Sequence, residues 1–188
     1  AGYENTEGLF NTCMGYQAGK SQTTGDYNVA LGRRTLYQDT QGSYNIGIGS
    51  MALYTYDAAN GYNIAIGQNA GYDLSTGQGN VFLGHEAGYN QTTATGNVAI
   101  GYQSLYTETT SAYNTAVGYQ ALKIQDGGVG NTAVGYDAGT ATTTGDYNTM
   151  VGGYAGDAIT TAVSNIAIGY QALSTEDAGS YNTAVGMQ

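Results

Sequence analysis

Few side chains in this sequence can act as acids, bases or nucleophiles. The chain of 188 residues has one histidine, His85, and one cysteine, Cys13, and neither lies in a nucleophile–base pattern that a hydrolase requires. The carboxylates match neither the EF-hand loop nor the nine-residue Gly-Asp calcium repeat. Those considered are Asp26, Asp39, Asp73, Asp137, Asp146, Asp157 and Glu108. We expect solvated loop carboxylates, with weak calcium binding as the alternative, and predict no enzyme, no metal centre and no cofactor.

Asparagine, by contrast, recurs at a fixed interval along the whole chain. Eleven asparagines each precede a short apolar run and a glycine: Asn11, Asn28, Asn45, Asn63, Asn80, Asn97, Asn114, Asn131, Asn148, Asn165 and Asn182. The interval is 17 residues except between Asn45 and Asn63, where it is 18. The chain is therefore predicted to be one repeat domain, residues 1–188, of eleven coils. Coil 1 begins at Asn11, and positions within a coil are numbered from its asparagine.

The other positions of the coil are nearly as regular. Position 2 is Thr, Val or Ile, position 4 is aliphatic or Met, position 5 is Gly, and position 9 is Gly or Leu. Position 3 is Ala except for Cys13, Gly47, Phe82 and Met150. A unit this short cannot fold alone, but stacked units pair their backbones and bury each other's apolar residues. The pattern predicts an all-β parallel β-solenoid, with a strand at positions 1–5, a second short strand at 6–10 and a loop at 11–17.

The two faces of the first strand differ in size. Positions 2 and 4 are bulky and predict the core of the coil, whereas positions 1, 3 and 5 are Asn, small and Gly. A strand with no charge on either face is normally covered on both sides. We therefore expect the flat, small face to meet a second copy of the chain in a symmetric homo-oligomer.

Stacked asparagines predict an amide ladder along the rod, in which each side chain bonds to the next rung. Tyrosines predict aromatic ladders at three further positions. Position 10 has Tyr3, Tyr37, Tyr54, Tyr72, Tyr89 and Tyr106, and position 17 has Tyr27, Tyr44, Tyr62, Tyr113, Tyr147 and Tyr181. Position 6 has Tyr16, Tyr102, Tyr119, Tyr136 and Tyr170, which are the candidates for a surface that binds sugars or other fibres.

Charge and composition limit the classes of partner that the chain can bind. The net charge is −10 with four basic residues, so nucleic acids and anionic membranes are repelled. No apolar run approaches the ~18 residues of a membrane span, so no membrane insertion is predicted. Glycans are possible partners or modifications, because the loops are rich in hydroxyls and Asn90 begins the Asn-Gln-Thr sequence of a glycosylation site.

The segments NVAIGYQSL, NTAVGYQAL and NIAIGYQAL resemble the head repeats of trimeric autotransporter adhesins and similar repeats of bacteriophage tail fibres. The resemblance covers essentially the whole chain, although the unit here is longer. It implies a left-handed parallel β-roll and a rod of three chains. It does not imply one function, since such rolls serve as adhesins, spacers and shafts.

The two ends of the sequence are in phase with each other. Joining Gln188 to Ala1 gives GMQAGY, which is similar to GYQAGK and GQNAGY within the chain. We expect a longer polypeptide that repeats this block, or end-to-end stacking between the Gln188 and Ala1 sides of separate chains, because open strand edges template further pairing.

Two functions follow from these observations. The first is a structural fibre or fibre shaft, extracellular or on a cell or virion surface. The second is an adhesin head or tail-fibre module that binds a surface glycan or protein. Ice binding is disfavoured because position 2 is expected to be buried.

Overall fold

A computed structural model describes residues 1–107, 109–175 and 179–188, so Glu108 lies outside the described residues. The described residues form no helix and one parallel sheet of eleven strands, ordered as in the sequence. The strands are β1 Thr12–Met14, β2 Val29–Leu31, β3 Ile46–Ile48, β4 Ile64–Ile66, β5 Val81–Leu83, β6 Val98–Ile100, β7 Thr115–Val117, β8 Thr132–Val134, β9 Thr149–Val151, β10 Ile166–Ile168 and β11 Thr183–Val185. The predicted parallel β-solenoid is confirmed.

Each strand pairs with the same positions of the next coil. Ala99 lies opposite Ala116, for example, and the register holds across the longer coil 3, where Ile46 lies opposite Ile64. The extra residue of coil 3 is therefore absorbed in its loop. Every position of the repeat forms a column along the rod, with a rise of ~4.8 Å per coil.

The predicted second strand at positions 6–10 is wrong, because these residues form turns in the described coils. Positions 7 and 9 adopt left-handed backbone conformations, as in Gln103 (φ 51°) and Leu105 (φ 47°). Extended strands need strongly negative φ, so these residues bend the chain. Each coil thus contains one strand of three residues and several left-handed corners.

The expected core was also wrong, since the small face of the strand points inward. Ala99 and Ala116 at position 3 are fully buried, whereas Val98 and Ile100 at positions 2 and 4 are half-exposed on the outside. A coil of 17 residues encloses a narrow interior. Alanine at positions 3 and 8, with leucine at position 9, fills that interior, and β-branched residues are left on the outer side.

Position 12 forms a second buried column, which the loop prediction missed. From coil 1 onward its described members are at most 2% exposed: Gln22, Asp39, Tyr56, Leu74, Gln91, Gln125, Thr142 and Ile159. The sequence did not reveal that position 12 is buried, because the column mixes polar and apolar residues. The core therefore also extends beneath the Thr-rich loops.

Large residues at position 3 are matched by glycine at position 9. The ring of Phe82 in coil 5 occupies the space that a side chain at position 9 would need. A Cβ at Gly88 of the same coil would lie 2.6 Å from a ring atom, and a Cβ at Gly71 of the preceding coil would lie 2.7 Å from one. Met150 fills the same space beside Gly139 and Gly156. All five coils with leucine at position 9 have alanine or glycine at position 3. The two positions thus share one interior volume.

Because positions 3 and 9 share one interior volume, a larger residue at one should compensate for a smaller residue at the other. Phe82→Ala should lower the free energy of unfolding by ~3–5 kcal/mol, because it opens a cavity. Adding Gly88→Leu should restore part of that loss, since leucine occupies this position with a similar φ in other coils. Urea denaturation of both variants measures the effect. A double variant no more stable than Phe82→Ala would contradict the shared volume.

Glycine at position 5 is required by both backbone and space. Gly101 has φ 130°, and a Cβ there would lie 2.2 Å from the carbonyl oxygen of Gly118 in the next coil. The same close approach recurs along the column, as at Gly118 beneath Gly135. Any side chain at this position would push neighbouring coils apart.

Gly101→Ala should therefore cost at least ~2 kcal/mol of unfolding free energy, since it adds backbone strain to a steric clash. Gly153→Ala is the matched control, because its nearest new contact is Tyr170 Cδ2 at 3.4 Å. We expect that control to stay within ~0.5 kcal/mol of the parent chain. Thermal or urea unfolding tests the pair, and equal losses would contradict the role assigned to position 5.

Candidate functional site

The eleven asparagines form a continuous column on the inner side of the solenoid. The side-chain oxygen of each accepts the backbone N–H of the next asparagine, as between Asn114 and Asn131 at 2.8 Å. The Nδ2 group of Asn114 donates to the carbonyl oxygen of Gly128 in the same coil, also at 2.8 Å. The rung-to-rung bond thus joins side chain to backbone, and amide-to-amide contacts appear only in part of the column, as at Asn80–Asn63 (3.1 Å).

This geometry gives the asparagines a structural role. From Asn28 to Asn165 their side chains are buried, and a buried amide is stable only when its polar atoms are bonded. The column ties each strand to the coil after it and, in most coils, to the end of its own loop. Asn45 is an exception, because its Nδ2 group makes no hydrogen bond within the described residues. Asn11 and Asn182, at the two ends, are more exposed.

The position 10 tyrosines form the most regular aromatic ladder. Adjacent ring centroids are 5.0–5.2 Å apart and nearly parallel across Tyr37, Tyr54, Tyr72, Tyr89 and Tyr106. Lysine occupies this position on both sides of the run. Lys20 Nζ lies 5.2 Å from the centroid of the Tyr37 ring, and Lys123 follows Tyr106. Faces of these rings are covered by neighbouring rings, so mainly their edges meet solvent.

The candidate binding tyrosines at position 6 fall into three groups. Tyr102, Tyr119 and Tyr136 stack in parallel at 5.1–5.2 Å, and His85 continues that stack. Tyr170 is separated from it by Gly153, and the ring of Tyr154 intervenes edge-on. Tyr16, which is 65% exposed, has no ring partner among the described residues. The five residues share a column but do not form one continuous surface.

Other singled-out residues lie apart from these ladders. Cys13 points inward at position 3, with its Sγ 3.7 Å from Gln22 Oε1, and burial raises the pKa of its thiol. Asn90 lies half-buried in the turn of coil 5, where its backbone N–H donates to Tyr106. Neither residue joins a cluster of chemically active groups.

Positions 2 and 4 form an aliphatic band, here called the outer face, across all eleven strands. It contains Thr, Val, Ile, Leu and Met and no charged residue. Its side chains are half-exposed or exposed, as for Ile166 and Ile168 at 39% each. Tyrosines of positions 17 and 6 flank it in sequence and are exposed, as at Tyr113 and Tyr119. The expectation that position 2 is buried was wrong, although the pairing of large residues at position 3 with glycine at position 9 could have revealed it.

A groove opens on the surface of coils 7–9, along the column of position 10, where the residue is no longer tyrosine. It is a shallow depression of about 460 Å³, open to solvent. Its lining residues are Gln120, Lys123, Ile124, Asp137, Thr140, Ala141, Tyr154 and Asp157. The structure thus brings together residues that the sequence analysis had considered separately. No regular spacing signals this site, because it arises where the repeat breaks its own pattern.

Among the residues that the structure describes, Asp39 is the one fully buried carboxylate. One of its oxygens accepts the Gly42 N–H at 2.6 Å, and the other lies 3.5 Å from Gln22 Nε2. Burial raises the pKa of Asp39 to about 7, and the charge of Asp57 acts in the same direction. Since an unfolded aspartate ionises near pH 4, folding favours the protonated form.

Stability should therefore depend on pH through Asp39. The stabilisation from its protonated form is complete below about pH 4 and is lost as pH rises through about 7. Asp39→Asn should make the unfolding free energy less pH-dependent between pH 4 and 7. Urea unfolding across this range measures the difference between the two chains, and parallel curves would contradict the shifted pKa.

Within residues 1–107, 109–175 and 179–188, no helix is long and apolar enough to cross a membrane. The same residues contain no group of three or more His, Cys, Asp or Glu side chains placed to hold a metal ion. The surface features of the described coils include the outer face, the aromatic ladders and the groove.

Comparison with known proteins gives no match to any protein-family model, curated protein or solved structure.

Proposed function

We propose that this protein is a structural component of an extracellular fibre or fibre shaft, on a cell or virion surface. The observation that carries this proposal is the outer face, an uncharged aliphatic sheet face that the described residues leave uncovered. Parallel sheets are normally covered on both faces. The cover proposed here is a second copy of the same chain.

The size of the outer face supports self-association. Eleven strands at ~4.8 Å spacing and ~10 Å width give roughly 500 Å² of flat area. Exposed tyrosines on both margins, such as Tyr113 and Tyr119, extend it towards the ~800 Å² per partner of a stable interface. Aromatic residues beside an apolar centre are also typical of protein interfaces. The resemblance to adhesin heads implies a rod of three chains.

Growth along the rod uses a different surface. β1 and β11 each have one paired neighbour among the described strands, so their outer edges can accept a further coil. That coil is supplied by the same polypeptide or by another copy, through the Gln188 and Ala1 sides. Stacking along the axis and packing through the outer face together give a stiff rod.

An adhesin head or tail-fibre module that binds a surface glycan is the second candidate. It is favoured by one local irregularity, the groove of coils 7–9, where the tyrosine ladders are interrupted. A shaft that serves only as a spacer has no need of such a feature.

A single charge on the outer face should show whether the chains associate through that face or through another surface. Ile66→Lys places an ammonium in the middle of the proposed interface and should weaken association at least ~10-fold, or ~1.4 kcal/mol. Thr93→Lys is the matched control, since Thr93 is exposed in a loop away from the outer face. Sedimentation equilibrium measures the association, electron microscopy shows the fibres, and circular dichroism verifies that both variants are folded.

A parent chain that stays monomeric at all concentrations would overturn the role of the outer face. Inhibition of ice recrystallisation by that monomer would instead indicate ice binding, since position 2 is exposed after all. Equal association of both variants and the parent would place the interface elsewhere.

A further inference from the structure

Tyr154 is oriented differently from the stacked tyrosines before it. It occupies position 7 of coil 9, next to Gly153 at the position where other coils have tyrosine. Its ring lies at 64° to Tyr136 and 88° to Tyr170, whereas Tyr119 and Tyr136 are within 6° of parallel. Rings stacked along the rod turn their faces along its axis. A ring turned nearly perpendicular to them turns its faces sideways, across the surface.

The groove beside Tyr154 has the size and polarity of a small-ligand site. Its volume of about 460 Å³ is within the range of ~300–1,000 Å³ typical of ligand pockets. Asp137 and Asp157 provide acceptors, while Gln120 and Lys123 provide donors. The groove opens because Lys123, Thr140 and Asp157 replace tyrosine in three successive coils at position 10.

Two polar atoms in this groove lack partners. Asp137 Oδ1 and Asp157 Oδ1 are shielded from water and make no hydrogen bond within the described residues. Burial raises the pKa of both carboxyl groups. Acceptors without donors are uncommon in native proteins. The two side chains are partly exposed, so a rotation of each carboxylate can bring an oxygen to a bound hydroxyl.

We propose that the groove of coils 7–9 binds a pyranose residue of a glycan, with the sugar ring stacked on Tyr154 and its hydroxyls donating to Asp137 and Asp157. Gln120 and Lys123 donate to the ring or hydroxyl oxygens of the same residue. The proposal rests on the second function above and is independent of the fibre role.

The groove holds two carboxylates and one ammonium, so its charges disfavour an anionic ligand. Asp137 and Asp157 repel an anion, and Lys123 repels a cation. A polyhydroxylated ring satisfies all three groups, because each hydroxyl both donates and accepts. An aromatic face beside these groups adds apolar contact with the C–H side of the sugar.

The test is saturation-transfer-difference NMR on the full chain. The probes are the methyl glycosides of glucose, galactose, mannose and N-acetylglucosamine, each at ~10 mM because single-sugar contacts are expected to be weak. At least one probe should receive saturation. Tyr154→Gln and Asp157→Asn should each reduce that signal several-fold.

Two features make these variants specific. Glutamine is the natural residue at position 7 of five other coils, namely Gln17, Gln103, Gln120, Gln171 and Gln188, so Tyr154→Gln should fold. Tyr89→Thr is the control, because it removes a ring whose faces are covered and installs the residue found at Thr140. It should leave the signal unchanged.

No saturation of any of the four glycosides would overturn the proposal, as would a signal unaffected by Tyr154→Gln. Saturation of tetramethylammonium without that of the glycosides would identify a cation site and also overturn it. None of these results bears on association through the outer face, which Ile66→Lys tests separately.

Discussion

The backbone hydrogen bonds that pair each strand with the matching strand of the next coil are the interaction on which the rest of the structure depends. Val98 donates to Asn114 and Gly101 to Leu83, each at 2.8 Å, and the same bonds recur coil after coil. They place every side chain next to its counterpart in the neighbouring coils. Each position is therefore selected for how it stacks on itself. Glycine at position 5 permits the closest approach, asparagine at position 1 bonds to its successor, and tyrosines stack as parallel rings.

This constraint explains how far the sequence could predict the molecule. Repetition in one chain shows the register directly, so the parallel solenoid and its eleven strands follow from spacing alone. The same holds for the aromatic stacks at positions where tyrosine recurs in consecutive coils. The direction of each side chain does not follow, because alternation along a strand specifies two faces without saying which is inside. Volume decides that question. Leucine at position 9 and alanine at position 3 already fill the narrow coil, so β-branched residues such as Val98 and Ile100 remain outside.

The parts that prediction missed are those in which a coil departs from its neighbours. Left-handed backbone at Gln103 and similar residues converts an expected strand into corners, and polar residues such as Gln91 conceal a buried column. The groove beside Tyr154 depends on three substitutions in successive coils and on one glycine. A consensus describes the average coil, whereas a site is made of exceptions to it. The candidate site therefore required three-dimensional positions.

Phe82 and Met150 have a consequence for how the chain finds its register. Because coils are so alike, a strand could pair with the strand one coil beyond its native neighbour and lose little backbone hydrogen bonding. Phe82, however, fits only between two coils that both have glycine at position 9, and Met150 has the same requirement. Displaced by one coil, either side chain would face a leucine, Leu105 or Leu53 for Phe82 and Leu122 or Leu173 for Met150. These two residues therefore favour the native strand pairing over pairings that are shifted by one coil or exchanged between coils.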